Sequence, residues 1–366
     1  MKVTKIRIGT ISVPLKVPFK TAIRTVESVE DVIIEIHTDT GEVGYGEAPP
    51  TGLITGDTKG GIIGAISEQI SKVVIGRDID DFEEIMKDVQ NSCMYNTSAK
   101  AAVDMALWDL FGQKLKSPVY KILGGAKNSL ITDITISVNS PEEMAEDAKD
   151  AIKRGYDCLK IKVGKNPSLD IKRLKAIRDV VPESTMIRID ANQGWDKKES
   201  VKILSQIDSE GLNIEFCEQP VKANDIEGLK YVTDNSPIKI LADESVFSAE
   251  DALKIMQIGA ADMVNIKLMK CGGIYNGLKI ATLAEIYGIE CMIGCMLEAK
   301  ISVNAAAHLA CAKSVITKID LDGPVLCSED PIIGGAVFNE KKITLSENAG
   351  LGIETIEKIE YIDILR

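Results

Sequence analysis

The sequence predicts an α/β fold: a barrel of eight parallel strands wrapped by helices, carrying a smaller α+β lobe. Three observations predict it. After Gly124-Gly125, short β-branched segments alternate with amphipathic helical ones in a regular rhythm. Before that point, two alternating strand patterns are followed by one dense apolar helix. The 366 residues suit two domains, or one large barrel with an added lobe. The N-terminal capping lobe is placed at 1–125 and the barrel at 126–324, with 325–366 read as a C-terminal segment that returns to complete the lobe.

Taken in order, 2–12 and 31–38 alternate apolar and polar residues, the period of half-buried strands, with Asp39-Thr40-Gly41 as a turn. Gly44, Gly46, Pro49, Pro50, Gly52 and Gly56 crowd one stretch, which predicts a loop. From about 60 to 115 the period becomes helical, and 101–110 reads as a buried helix. The barrel strands are expected at 131–137, 158–163, 185–190, 213–218, 238–243, 262–267, 290–293 and 315–320. Helix starts between them are well marked. Ser140-Pro141-Glu142-Glu143 offers an N-cap serine, Pro at the first helical position and Glu at the third, and Asp196-Lys197-Lys198-Glu199 repeats the cap. After Pro167, Ile171, Leu174, Ile177 and Val181 share one face.

Composition narrows the chemistry. Hydrophobic residues at 45% and charged residues at 27% give a globular balance with a sizeable core. Lys and Arg number 43 against 55 Asp and Glu, a net charge of −12. This surplus, with no basic block, argues against nucleic acid and anionic membranes as partners. Only two histidines are present, His37 and His308. A multi-histidine zinc site is thereby set aside, and catalysis falls to carboxylates and lysines. The eight cysteines form no CxxC pair and lie mostly in apolar runs, which reads as reduced, buried thiols. Residues 1–7 alternate like a strand rather than a signal peptide, and no apolar run approaches the roughly 18 residues of a membrane span. A cytoplasmic protein is expected.

The decisive feature is charge at the ends of strands that should be apolar. Lys160 and Lys162 end the second barrel strand, Asp190 the third, Glu218 the fourth, Asp243 the fifth, Lys267 the sixth, and Asp320 and Asp322 the eighth. Spacings of 28, 28, 25 and 24 residues from Lys162 to Lys267 are one strand–helix unit each. These side chains therefore share one rim, the C-terminal mouth where barrel enzymes work. Asp190, Glu218 and Asp243 would repel one another without a cation among them, and an all-oxygen set suits magnesium before zinc or copper. The alternative for each is a solvated strand end. Lys160 and Lys162 are two apart, so both point to one side. Burial and a second ammonium would lower their pKa, making a neutral base with a charged helper. Lys267 lies four strands further round, on the opposite side of the mouth, so two lysines could move a proton between the faces of one carbon.

Asp320 and Asp322 could hold a substrate ammonium, or pair with Lys318 or water. Arg24 either closes over the mouth to bind an anionic group or is a plain surface arginine. Gly272-Gly273 lacks a dinucleotide or P-loop pattern around it and reads as a tight turn into the next helix. His308 reads as a packing residue on an Ala-rich helix, and His37 as an ordinary strand residue.

These motifs together resemble the enolase superfamily, in its muconate-lactonizing subgroup. They are Leu159-Lys160-Ile161-Lys162, Ile189-Asp190-Ala191-Asn192-Gln193-Gly194-Trp195, Glu218-Gln219-Pro220, Ala242-Asp243-Glu244-Ser245 and Asn265-Ile266-Lys267. The resemblance covers the whole chain and implies a modified TIM barrel, (β/α)7β, under an α+β cap. Within the subgroup, Asp320-Leu321-Asp322 resembles the pair with which dipeptide epimerases bind a peptide's α-ammonium group. Arg24, Thr135 and the stretch 291–298, with Met296 and Glu298, resemble members acting on L-Ala-L-Glu and L-Ala-D-Glu. There Arg24 would pair with the glutamate side chain and Ile54 would help shape specificity.

The resemblance implies one magnesium ion per subunit on Asp190, Glu218 and Asp243. It implies Lys160 as a nearby positive charge, and Lys162 and Lys267 as opposed bases at the α-carbon. It further implies an isomerase of dipeptides used in murein peptide metabolism, and a homo-oligomer. The rivals are o-succinylbenzoate synthase, N-acylamino acid racemase or cycloisomerase activity, and, from another class, a Schiff-base aldolase using Lys267.

Overall fold

The computed structural model describes residues 1–21 and 25–366. Four antiparallel strands, in the order Glu360–Leu365, Val3–Lys20, Thr25–Thr38, Val43–Ala48, form the sheet of the cap. The first two strands of the chain run further than 2–12 and 31–38. Pairing with the C-terminal strand ends at Thr10, so Pro14 and Pro18 lie beyond it, where a missing N–H breaks no bond to that strand.

The glycine-rich stretch expected as a loop contains the strand Val43–Ala48. Its glycines serve close packing rather than a turn. A Cβ on Gly44 would overlap the carbonyl oxygen of Ala106, and one on Gly46 that of Ala102. Both oxygens belong to the helix Thr97–Lys114, whose side chains are buried on nearly every face. The two glycines let strand and helix touch backbone to backbone.

The barrel has eight parallel strands in sequence order: Ile134–Ile136, Cys158–Lys162, Met186–Asp190, Ile214–Glu218, Lys239–Ala242, Met263–Ile266, Glu290–Gly294 and Ile316–Asp320. The Asp133 N–H donates to the Ile319 carbonyl at 3.3 Å, bringing the first strand beside the last. Phe216, Leu241, Met263 and Met292 fill the interior. The strand expected at 131–137 is two. Ser129–Ile131 pairs with Lys342–Thr344 outside the barrel, and the chain breaks at Thr132-Asp133 before entering it. Thr132 Oγ1 accepts the Leu321 N–H at 2.8 Å, and Asp133 binds Arg188 at 2.7 Å, so this kink is itself anchored.

Helix caps follow the sequence. Ser140 and Glu143 form a reciprocal capping box, and the Asp196 side chain accepts from the backbone of Lys198 and Glu199. Gly272 and Gly273 adopt φ of 85° and 113° and lead into the helix Ile274–Tyr287, as a tight turn should. Carboxylates of the cap reach across to barrel backbone: Asp31 accepts from Ala299 N at 3.0 Å, Glu47 from Ser302 N at 2.8 Å, and Asp104 from Ile274 N at 2.6 Å. All eight cysteines are free thiols. Among the described residues no helix is long and apolar enough to cross a membrane.

Candidate active site

Parallel pairing sets the site's geometry. Lys162 is in register with Asp190, and Asp190 with Glu218, so adjacent strands deliver these side chains at one height. Lys160, Lys162, Lys267, Asp320, Asp322, Thr135 and Met296 line one pocket beneath the cap. Phe19, Thr21 and Ile54 of the cap close it from above, and Asn192, Cys295, Leu297 and Leu326 complete the wall. Glu298 is not in the lining. It is buried behind it, accepting the Met296 N–H and lying near Ser302 and Glu47. Arg24 lies outside the described residues.

The charges are buried and mutually engaged. Asp190, Glu218 and Asp243 are at most 1% exposed. Lys160 Nζ stands 2.6 Å from both Glu218 Oε2 and Asp320 Oδ2, and 3.4 Å from Asp190 Oδ2. Lys162 Nζ lies 2.6 Å from Asp190 Oδ2, and Lys267 Nζ 2.7 Å from Asp243 Oδ2. Asp322 accepts the backbone N–H of Thr135 at 2.7 Å. Lys318, a candidate partner for the aspartate pair, instead meets Glu215 at 2.8 Å.

These pairs overturn one expectation. Lys160 and Lys267 are held above the ordinary lysine range rather than below it. Burial alone would lower both. Asp320, Glu218 and Asp190 outweigh burial at Lys160, and Asp243 and Glu218 do so at Lys267. The lysines are as buried as expected, but the surrounding anions dominate. Burial would raise Asp190, yet Lys162 and Lys160 hold it below the usual carboxylate range. Glu218 is pushed up to about 7 by burial and by Asp190. Burial and neighbouring Asp320 push Asp322 up to about 6.

Among the described residues no group of three His, Cys, Asp or Glu side chains stands ready as a metal cage, because lysine ammoniums stand among the carboxylates. Asp190, Glu218 and Asp243 nonetheless fit a hard divalent cation. Their donors are all oxygen and all buried, and Glu218 Oε2 and Asp243 Oδ1 touch ammonium groups without hydrogen-bond geometry.

Sequence reasoning missed the scaffolding behind these side chains. Lys270 Nζ is fully buried, 2.6 Å from Asp243 Oδ1 and 3.0 Å from the Asn265 carbonyl. Asn265 in turn donates to Glu218 Oε1 at 2.9 Å. The signal that could have found it was a lysine one helical turn beyond Lys267 inside an otherwise apolar stretch. His308 is a packing residue as read: its Nδ1 accepts the Tyr120 N–H at 3.0 Å, and neither residue lines the pocket.

Comparison with known proteins agrees with this fold. Residues 3–124 match the family described as mandelate racemase / muconate lactonizing enzyme, N-terminal domain, and residues 143–359 match enolase C-terminal domain-like. The chain is 59% identical to the L-Ala-D/L-Glu epimerase of Clostridium acetobutylicum, over 97% of this chain and 99% of that protein. A substrate-liganded structure of the L-Ala-D/L-Glu epimerase from Bacillus subtilis superposes with a TM-score of 0.96 at 46% identity, covering 97% of this chain and 99% of that one. The dipeptide epimerase of Enterococcus faecalis, solved with Mg and L-Leu-L-Tyr, superposes with a TM-score of 0.94 at 44% identity, covering 97% and 100%. With both family regions matched along nearly its whole length, the chain belongs to the mandelate racemase/muconate lactonizing enzyme family of the enolase superfamily.

Proposed function

We propose that this isomerase epimerises dipeptides, L-Ala-D/L-Glu foremost, by 1,1-proton transfer at the α-carbon of the C-terminal residue through an enediolate. The observation that carries this reading is one pocket containing two lysines from opposite sides of the barrel, Lys162 and Lys267, beside the aspartate pair Asp320 and Asp322. Abstracting the α-proton of a carboxylate places a second negative charge on it. Asp190, Glu218 and Asp243 would hold magnesium, which when bound supplies electrostatic stabilisation of that charge. Lys160 adds a fixed positive charge at the same place. Sharing Asp190 and Asp243 with a cation would weaken the ion pairs that they make with Lys162 and Lys267. Lys162 then takes the proton from one face, Lys267 returns one on the other, and the roles exchange in the reverse direction.

Asp320 and Asp322 receive the substrate's α-ammonium group, with Thr135 N–H orienting Asp322. Lys160 compensates Asp320, but a substrate without an ammonium would leave the buried Asp322 with only the Thr135 N–H, which disfavours the succinylbenzoate, N-acylamino acid and cycloisomerase activities. Met296 lines the pocket beside Ile54, and Glu298 orders the 296 backbone from behind. Arg24 is assigned the substrate's side-chain carboxylate. We place the enzyme in the cytoplasm, in keeping with eight free thiols, as a homo-oligomer acting on murein-derived peptides.

Incubation of L-Ala-L-Glu with the protein and magnesium in deuterium oxide tests the reading. Deuterium is expected at the glutamate α-carbon, together with L-Ala-D-Glu. Lys267→Ala is expected to stop epimerisation while one stereoisomer still exchanges. No exchange across a dipeptide panel overturns the assignment, and activity that survives EDTA with borohydride trapping at Lys267 would point to the aldolase instead.

A further inference from the structure

Gln219 follows Glu218 at the end of the fourth barrel strand and is fully buried. Its amide is saturated. Oε1 accepts the backbone N–H of Asp243 at 2.9 Å and of Ser245 at 3.2 Å. Nε2 donates to the Val221 carbonyl at 3.0 Å and to Ser245 Oγ at 2.8 Å. The backbone is bonded just as fully. Its N–H donates to the Leu241 carbonyl at 2.9 Å, and its carbonyl accepts the Gln193 N–H at 2.8 Å. One residue therefore bonds to the turn after Asp190, to its own turn after Glu218, and to the turn that carries Asp243.

The local backbone is strained to achieve this. Gln219 has a φ of 36°, and Asn192 and Gln193 on the neighbouring turn have 43° and 66°. Left-handed conformations are disfavoured for residues with a Cβ and persist only where surrounding bonds over-determine them. Glycine would relieve the strain at 219 but could not supply the amide. Glutamate or methionine, of similar length, could not supply both donors and both acceptors.

We propose that Gln219 is a positioning residue that sets the spacing of the three carboxylate-bearing turns, and with it the preference of the site for a small divalent cation. The inference rests on the proposed binding of magnesium by Asp190, Glu218 and Asp243. Magnesium demands a near-ideal octahedral oxygen set, whereas calcium tolerates a looser one. A residue that fixes turn-to-turn distances should therefore govern the ratio of the two affinities more than either affinity alone.

The test is calorimetric titration of the full-length protein with magnesium chloride and, separately, with calcium chloride. Gln219→Met removes all four amide bonds at nearly constant length. It is expected to weaken magnesium binding about 10- to 100-fold, the usual cost of losing a group that orients a ligand, and calcium binding much less. Ser245→Ala removes one Gln219 partner without adding volume, and should lower the magnesium-to-calcium ratio in the same direction by a smaller factor. It decides the matter if Gln219→Met does not fold. An unchanged ratio, or equal losses for both ions, overturns the positioning role. Failure of the wild-type protein to bind magnesium would instead overturn the reading beneath it.

Discussion

His308 shows how burial fixes a protonation state. Its ring is fully buried, Nδ1 accepts the Tyr120 N–H, and burial pushes its pKa down to about 3. The folded protein keeps this imidazole neutral, while the unfolded chain takes up a proton below about pH 6.5. The unfolded state then binds more protons, so this contribution to stability is intact above pH 6.5 and declines as pH falls towards 3. One proton corresponds to a slope of about 1.4 kcal/mol per pH unit. Denaturant unfolding between pH 6 and 4 should be shallower in its pH dependence for His308→Gln, which retains an acceptor for Tyr120, by up to that amount. Equal slopes would show that His308 is not neutral in the fold. The same residue marks what single positions reveal. A histidine among alanines is legible as packing because no charged residue stands three or four positions from it on the helix. Lys160, Lys162, Asp190, Glu218, Asp243 and Lys267 are legible as a rim because charge at five successive apolar strand ends is hard to explain otherwise. Lys270, Asn265 and Gln219 were not, because their roles consist of contacts between different strands and turns that the sequence does not place.

At the scale of elements, periodicity located all eight barrel strands, with the first as the exception in extent. That one failed because Thr132 and Asp133 bond sideways, to Leu321 N and Arg188, and an alternating pattern does not reveal such a break. The strand Val43–Ala48 was hidden for a different reason. Gly44 and Gly46 signal turns in isolation but here allow helix Thr97–Lys114 to lie directly on the strand. Gly46→Ala tests this. The added methyl cannot be accommodated by a side-chain rotation, because its obstacle is the Ala102 carbonyl, so strand and helix must separate. Overpacking of this kind costs about 1–3 kcal/mol. Since the strand leads into the loop bearing Ile54, the dipeptide KM should rise as well. A variant with unaltered chemical-denaturation midpoint and KM would mean that the interface has slack it does not display.

At the scale of the molecule, the question is whether cap and barrel are one cooperative unit. The strands Val3–Lys20 and Glu360–Leu365 pair, so the two ends of the chain close one sheet. Between the lobes, Asp31, Glu47 and Asp104 of the cap accept backbone N–H groups at the starts of two barrel helices. Burial and the nearby Glu47 charge raise the Asp31 carboxyl well above the usual range, and burial raises that of Glu47 as well. The cap-to-barrel bonds are buried, and separating the lobes would give them up and expose the apolar core that both lobes share. Unfolding is therefore expected in one transition. The two tryptophans report the lobes separately, Trp108 in the cap helix and Trp195 at the barrel mouth. Trp108→Phe and Trp195→Phe should show coincident fluorescence midpoints, matching the calorimetric one. Glu47→Ala leaves the Ser302 N–H unpaired and should lower stability by about 1–3 kcal/mol while keeping the midpoints coincident. Glu47→Gln, which still offers an acceptor oxygen, should lose less. Separate midpoints in the two single-tryptophan proteins would show instead that the cap unfolds on its own, and that the pocket it covers opens without loss of the barrel.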